Sequence, residues 1–112
     1  MQVNGEHVED ALRELADADA QARLWRADSG PEISSLDECA CRLFDDSGLG
    51  DALDKGEVYG PDLDTGLREL RRALSKIDRN QPVSQLLAAP GVAQVRRSAQ
   101  ALLLLFNEDR YR

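Results

Sequence analysis

Leu63, Leu67, Leu70, Leu74 and Ile77 recur at steps of four, three, four and three residues. Only a helix places residues so spaced on one side of the chain, because about 3.6 residues complete each turn, whereas a strand would scatter them over both faces. Composition points the same way. The chain has 17 Leu and 14 Ala, both good helix formers, against six Val, two Ile and one Thr, the β-branched residues that strands favour. The expected fold is all-α, and 112 residues give one domain over 1–112 with a radius of gyration of about 13 Å.

The same periodicity sets out the other helices. Asn4 is a candidate N-cap for a first helix from Gly5 to Ala27, since its side chain can accept from the free backbone N–H groups of a first turn. Val8, Ala11, Leu15, Ala18, Ala22 and Trp25 form its inner stripe, widened by Leu12. Ser29, Gly30 and Pro31 supply the stop, because Gly tolerates the left-handed cap and Pro cannot continue a helix. Ser35 and Glu38 fit a capping box that opens a second helix with Leu36, Cys39, Ala40, Leu43 and Phe44 inward. Gly48 and Gly50 break it, Leu49 to Lys55 adds a helical turn, and residues 56–62 form a loop turning at Gly60-Pro61.

Asp64 is the expected N-cap of the Leu-striped helix, which reaches about Arg79 and ends at Asn80 and Pro82. A short helix over Val83–Ala89 closes at Pro90-Gly91, and the last helix runs from Gly91 to Glu108 with Val92, Val95, Ala99, Leu102, Leu103 and Phe106 inward. Short connections bring neighbours together antiparallel. The reading is a compact antiparallel bundle of four or five helices with a largely apolar C-terminal helix near its centre.

Several function classes find little footing. The longest apolar run, Leu102 to Phe106, has five residues against the ~20 of a membrane span. The start MQVNGEHVED has neither the basic nor the apolar part of a secretory signal. A cytoplasmic protein with no membrane partner is expected. Cys39 and Cys41 lie two residues apart on a helix, pointing about 200° away from each other, so they can neither bond together nor share a metal. His7 is the single histidine, without a partner motif for zinc or for nucleophilic catalysis, and reads as a surface residue. Residues 45–57 carry Asp45, Asp46, Asp51, Asp54 and Glu57, but neither register gives the ligand spacing of a calcium loop. That segment reads as a solvated acidic turn. No enzyme activity, metal or cofactor is expected.

Two features rise above this background. The net charge of −7 is unevenly divided: residues 1–64 hold 17 acids and five bases, and residues 65–112 hold four acids and nine bases. Glu6, Glu9, Asp10, Glu14, Asp17 and Asp19 lie on or beside the first helix and form a candidate acidic face for a basic protein partner. Arg68, Arg71, Arg72, Lys76 and Arg79 fall opposite the Leu stripe, within an arc of about 140°. They form a basic face that either attracts the acidic half of the chain or meets an acidic partner. Nucleic acid is the lesser reading, because the whole-protein field is negative.

The second feature is the run LLLLF itself, which covers every side of a helix. Leu104 and Leu105 point away from the core stripe, so the helix is either enclosed by its bundle or covered by a partner, a homodimer included. The expected function is a non-enzymatic protein-interaction module, analogous in size and charge to immunity proteins, antitoxins and secretion chaperones. The alternative is a nucleic-acid accessory protein using the basic face.

Overall fold

The computed structural model describes residues 3–25 and 35–110, with side chains to residue 107. All regular structure among them is helical: α1 (Gly5–Ala16), α2 (Ala18–Trp25), α3 (Leu36–Cys41), α4 (Leu49–Lys55), α5 (Pro61–Ser75), α6 (Val83–Ala88) and α7 (Pro90–Arg110), with a π-helical turn over Arg42–Asp46 between α3 and α4. This is a more divided chain than four or five helices. The predicted stop at Ser29, Gly30 and Pro31 lies outside the described residues.

The largest departure is at Asp17, which splits the expected first helix. Its backbone leaves the helical region at φ −114 and ψ 105. Its Oδ1 accepts from the N–H groups of Asp19 and Ala20 at 3.0 and 3.2 Å, so the residue that ends α1 caps α2. The restart shifts the inward positions. Gln21 and Trp25 are buried, while Ala18 is exposed and Ala22 half-buried. Asn4 caps α1 as expected, accepting from Glu6 and His7, and Ser35 Oγ accepts from Glu38 N–H at 3.0 Å.

Helix α5 also begins earlier than expected. Pro61 stands in its first turn, where its missing N–H costs nothing and its fixed φ suits the helix. Asp64 is therefore inside α5 and not its cap. Its carboxylate, 1% exposed, bends back to accept from the N–H groups of Val58 and Tyr59 at 2.8 and 2.9 Å. It pins the loop that α5 leaves behind. The helix stops at Ser75, short of Arg79, where Ser75 Oγ donates to Arg72 O.

Helix α7 organises the rest. A Cβ at Gly66 would collide with Leu102, and one at Gly91 would approach Ile77, so α5 and α7 run antiparallel. Gly5 lies near Phe106 while Gln100 bonds Ala16, so α1 and α7 do too. Val92, Val95, Ala99, Leu102 and Phe106 fill the space between them, and Tyr59 meets Phe106 edge to face at 5.4 Å between centroids. The leucine run is not enclosed: Leu102 and Phe106 are buried, Leu103 is half-buried, and Leu104 is 68% exposed. No helix among the described residues is long and apolar enough to cross a membrane.

Candidate interaction surface

The six acids assigned to one face divide into two sets. Glu14 is only 8% exposed. Its Oε2 accepts from Trp25 Nε1 at 2.8 Å and its Oε1 from Arg42 at 3.2 Å. It is a buried tie between α1, α2 and the π-helical turn, and contrary to expectation it does not belong to the outer face. Glu9 is engaged by Arg13 one turn later at 2.9 Å. Asp17 is exposed but occupied at one oxygen by its capping bonds. Glu6, Asp10 and Asp19 are exposed with no ion pair among the described residues. The outer acidic surface is therefore Glu6, Asp10, Asp17 and Asp19.

The break that exposes Asp17 leaves the last carbonyls of α1 without helical partners. Side chains satisfy them. Gln21 Nε2 donates to the carbonyls of Glu14 and Leu15 at 3.1 and 2.8 Å, and Gln100 Nε2 donates to Ala16 O at 3.0 Å. Gln21 is 0% exposed, and its Oε1 accepts from Arg96 Nε at 2.7 Å, while Arg96 also donates to Leu87 O at 2.9 Å. One polar chain thus joins α1, α2, α6 and α7. Sequence reasoning missed both Gln21 and Arg96, since a polar residue beside an alanine stripe carries no sign of burial.

The basic face is largely consumed within the chain. Arg68 donates to the carbonyls of Leu53 and Gly56. Arg71 pairs with Asp54 at 3.0 Å and stands over the Phe44 ring at 5.7 Å. Arg79 pairs with Asp37 at 2.6 Å. The acidic and basic halves therefore meet through α3, α4 and α5. The two ion pairs contribute little stability each, about 0–1 kcal/mol, but they neutralise two of the five cations, and the carbonyl bonds hold the Arg68 guanidinium against α4. Arg72 and Lys76 stay exposed beside an open depression between α5 and α7 of about 550 Å³.

Cys39 is buried and its Sγ donates to Ala11 O at 3.3 Å. Burial and then the nearby Glu14 carboxylate push its thiol pKa well above the ordinary range, so it is a core group and not a nucleophile. Cys41 is exposed, and its thiol is also raised, by desolvation and by the carboxylates of Asp45, Asp46 and Glu38. Burial disfavours the Arg42 cation, but the Glu14 carboxylate outweighs it and raises its pKa. His7 is half-buried rather than superficial, with Nδ1 enclosed and without a hydrogen-bond partner. Among the described residues no three His, Cys, Asp or Glu side chains converge to hold a metal ion.

Leu104 and Leu105 occupy different edges of α7. Gln100, four residues before Leu104, bonds α1, so Leu104 stands on the α1 side. Leu102, three residues before Leu105, abuts Gly66 of α5, so Leu105 stands on the α5 side. Where α7 passes the end of α1, an open depression of about 530 Å³ is lined by Ala16, Ala18 and Leu103 together with Arg13, Asp17, Asp19 and Gln100. Apolar surface and exposed carboxylates thus adjoin at the bend between α1 and α2. No family model matches the chain, and neither a curated protein nor a solved structure does.

Proposed function

We propose that this chain is a non-enzymatic protein-interaction module that meets a basic partner through the outer surface of α1 and α2. The supporting observation is the sorting of charge: Arg42, Arg68, Arg71 and Arg79 are bound within the chain, while Glu6, Asp10 and Asp19 keep their charge exposed. A surplus of exposed carboxylates steers a basic protein and speeds its encounter. The nucleic-acid alternative retains only Arg72 and Lys76 of the five basic-face residues in uncommitted form. Two unpaired thiols suit a reducing compartment such as the cytoplasm.

The test is affinity capture from the source cell at low ionic strength, with the wild type beside a Glu6→Lys, Asp10→Lys, Asp19→Lys variant. A partner held by the wild type, released by salt and absent with the variant is the expected result. Capture that ignores the reversal overturns the proposal. Light scattering reads the homodimer separately: a dimer that Leu104→Gln with Leu105→Gln converts to monomer would place a second copy of the chain, and not a basic partner, on the exposed end of α7.

A further inference from the structure

We infer that the groove between α1 and α7, at the bend where α1 gives way to α2, docks a basic amphipathic helix of a partner protein. This rests on the interaction-module reading and assigns that reading a place and a ligand chemistry. Two observations meet there. The depression beside the bend has apolar walls from Ala16, Ala18 and Leu103. Leu104 follows Leu103 in the chain, about 100° further round α7, and is the most exposed large hydrophobic residue among those described, at 68%. Water-exposed leucine adjoining a concavity is the usual anchor surface for an apolar side chain of a partner.

Charge selects the occupant. Glu6, Asp10 and Arg13 fall within an arc of about 60° on the outer side of α1, and Asp17 and Asp19 follow at the bend. Arg13, the one cation in this row, is tied to Glu9 at 2.9 Å, which leaves the row acidic. Asp10 and Asp17 are seven residues apart, a rise of about 10 Å along the helix. Lysines or arginines two turns apart on an incoming helix match that separation, and its apolar face then lies toward Leu103 and Leu104. This is helix-in-groove recognition, with anchors at helical spacing and charges alongside. A second copy of this chain meeting it through the same face is a poorer occupant, because it would set Asp10, Asp17 and Asp19 against their own counterparts.

The probe is a labelled synthetic helix of about 18 residues built from Leu on one face and Lys on the other, with a scrambled peptide of the same composition. Binding is followed by fluorescence anisotropy at about 50 mM salt. The amphipathic peptide should bind the full chain at least about tenfold more tightly than the scrambled one, a difference of about 1.4 kcal/mol. Asp10→Asn with Asp17→Asn and Asp19→Asn should weaken it about tenfold or more, as should Leu104→Gln. Asn at position 17 keeps a capping acceptor, so the bend survives the loss of charge. Removing equal charge elsewhere, by Glu38→Gln, Asp51→Asn and Glu57→Gln, should change affinity less than about twofold.

Equal losses from the two sets overturn the groove and leave the acidic-module reading standing. So does tight binding that Leu104→Gln does not touch. A chain that is dimeric alone and becomes monomeric on Leu104→Gln puts a second copy in the groove and also overturns the proposal. Failure of the wider reading looks different: capture from the cell then ignores charge reversal, whatever the peptide does.

Discussion

The two halves of α7 treat polarity in opposite ways. Toward its start, Arg96 turns inward, half-buried, to bond Gln21 and the Leu87 carbonyl. Toward its end, Leu104 and Leu105 turn outward, 68% and 38% exposed. Hydrophobicity alone would reverse the two. What decides is what each half finds opposite it. The N-terminal half faces the broken junction of α1 and α2, where carbonyls released by the helix break need donors. The C-terminal half faces α1 and α5 with only one flank, and Leu102 and Phe106 already fill that flank. A buried polar group is retained where its bonds are complete, and an apolar one is left outside where no neighbour covers it.

Removing the centre of the polar half should have the largest effect. Gln21→Ala deletes both hydrogen bonds to the carbonyls of Glu14 and Leu15 and takes the acceptor from Arg96 Nε. With the site fully buried, a loss of about 3 kcal/mol in unfolding free energy is expected, read from urea denaturation. A loss below about 1 kcal/mol would mean that water replaces these bonds and that the two halves of α7 do not differ in this way. Arg96→Met is the gentler probe. It keeps an apolar stem but leaves Gln21 Oε1 and Leu87 O without their donor, for about 2 kcal/mol. Hydrogen exchange should then quicken in α6, because Arg96 is the side chain that holds Leu87 to α7. Unchanged protection of α6 would separate that helix from the network.

The contrast also marks how far the sequence can be read. The stripes of α1, α5 and α7 follow from a 3.6-residue period, so Val8, Leu15, Leu67, Leu70, Val95 and Leu102 were identifiable as core. The caps at Asn4 and Ser35 follow from short-range chemistry and were equally plain. Asp17 was not, since an aspartate between alanines fits a helix surface as well as it fits a break. The bonds that Gln21 and Gln100 bring from elsewhere in the fold complete the break that Asp17 caps. Asp64 misled for a related reason: it is a good N-cap residue, but Pro61 had already started the helix, which freed the carboxylate to bind the preceding loop. Arg68, Arg71 and Arg72 stand exposed on α5 while its leucines are buried, and Arg79 falls beyond the end of the helix. Which arginines remain available depended on Asp37, Asp54 and two carbonyls that only the tertiary fold brings near. On the acidic side, the period placed Glu14 beside Asp10 but could not say that Trp25 and Arg42 would enclose it.

The smallest expected effect lies at the other end of α7. Leu104→Gln with Leu105→Gln should shift stability by no more than about 0.5 kcal/mol, since neither side chain is fully buried and both positions accept a good helix former. A well-folded, equally stable variant is what makes these positions useful as probes of docking, because any lost binding then belongs to the surface and not to the fold. If the double substitution instead costs about 2 kcal/mol or more, the leucines must be covered in solution. Repeating the melt over a range of protein concentrations identifies the cover. A loss that grows with concentration assigns it to a second copy of the chain, because self-association stabilises the folded state by mass action. In that case the outward-turned half of α7 would be buried after all, by a partner rather than by the bundle.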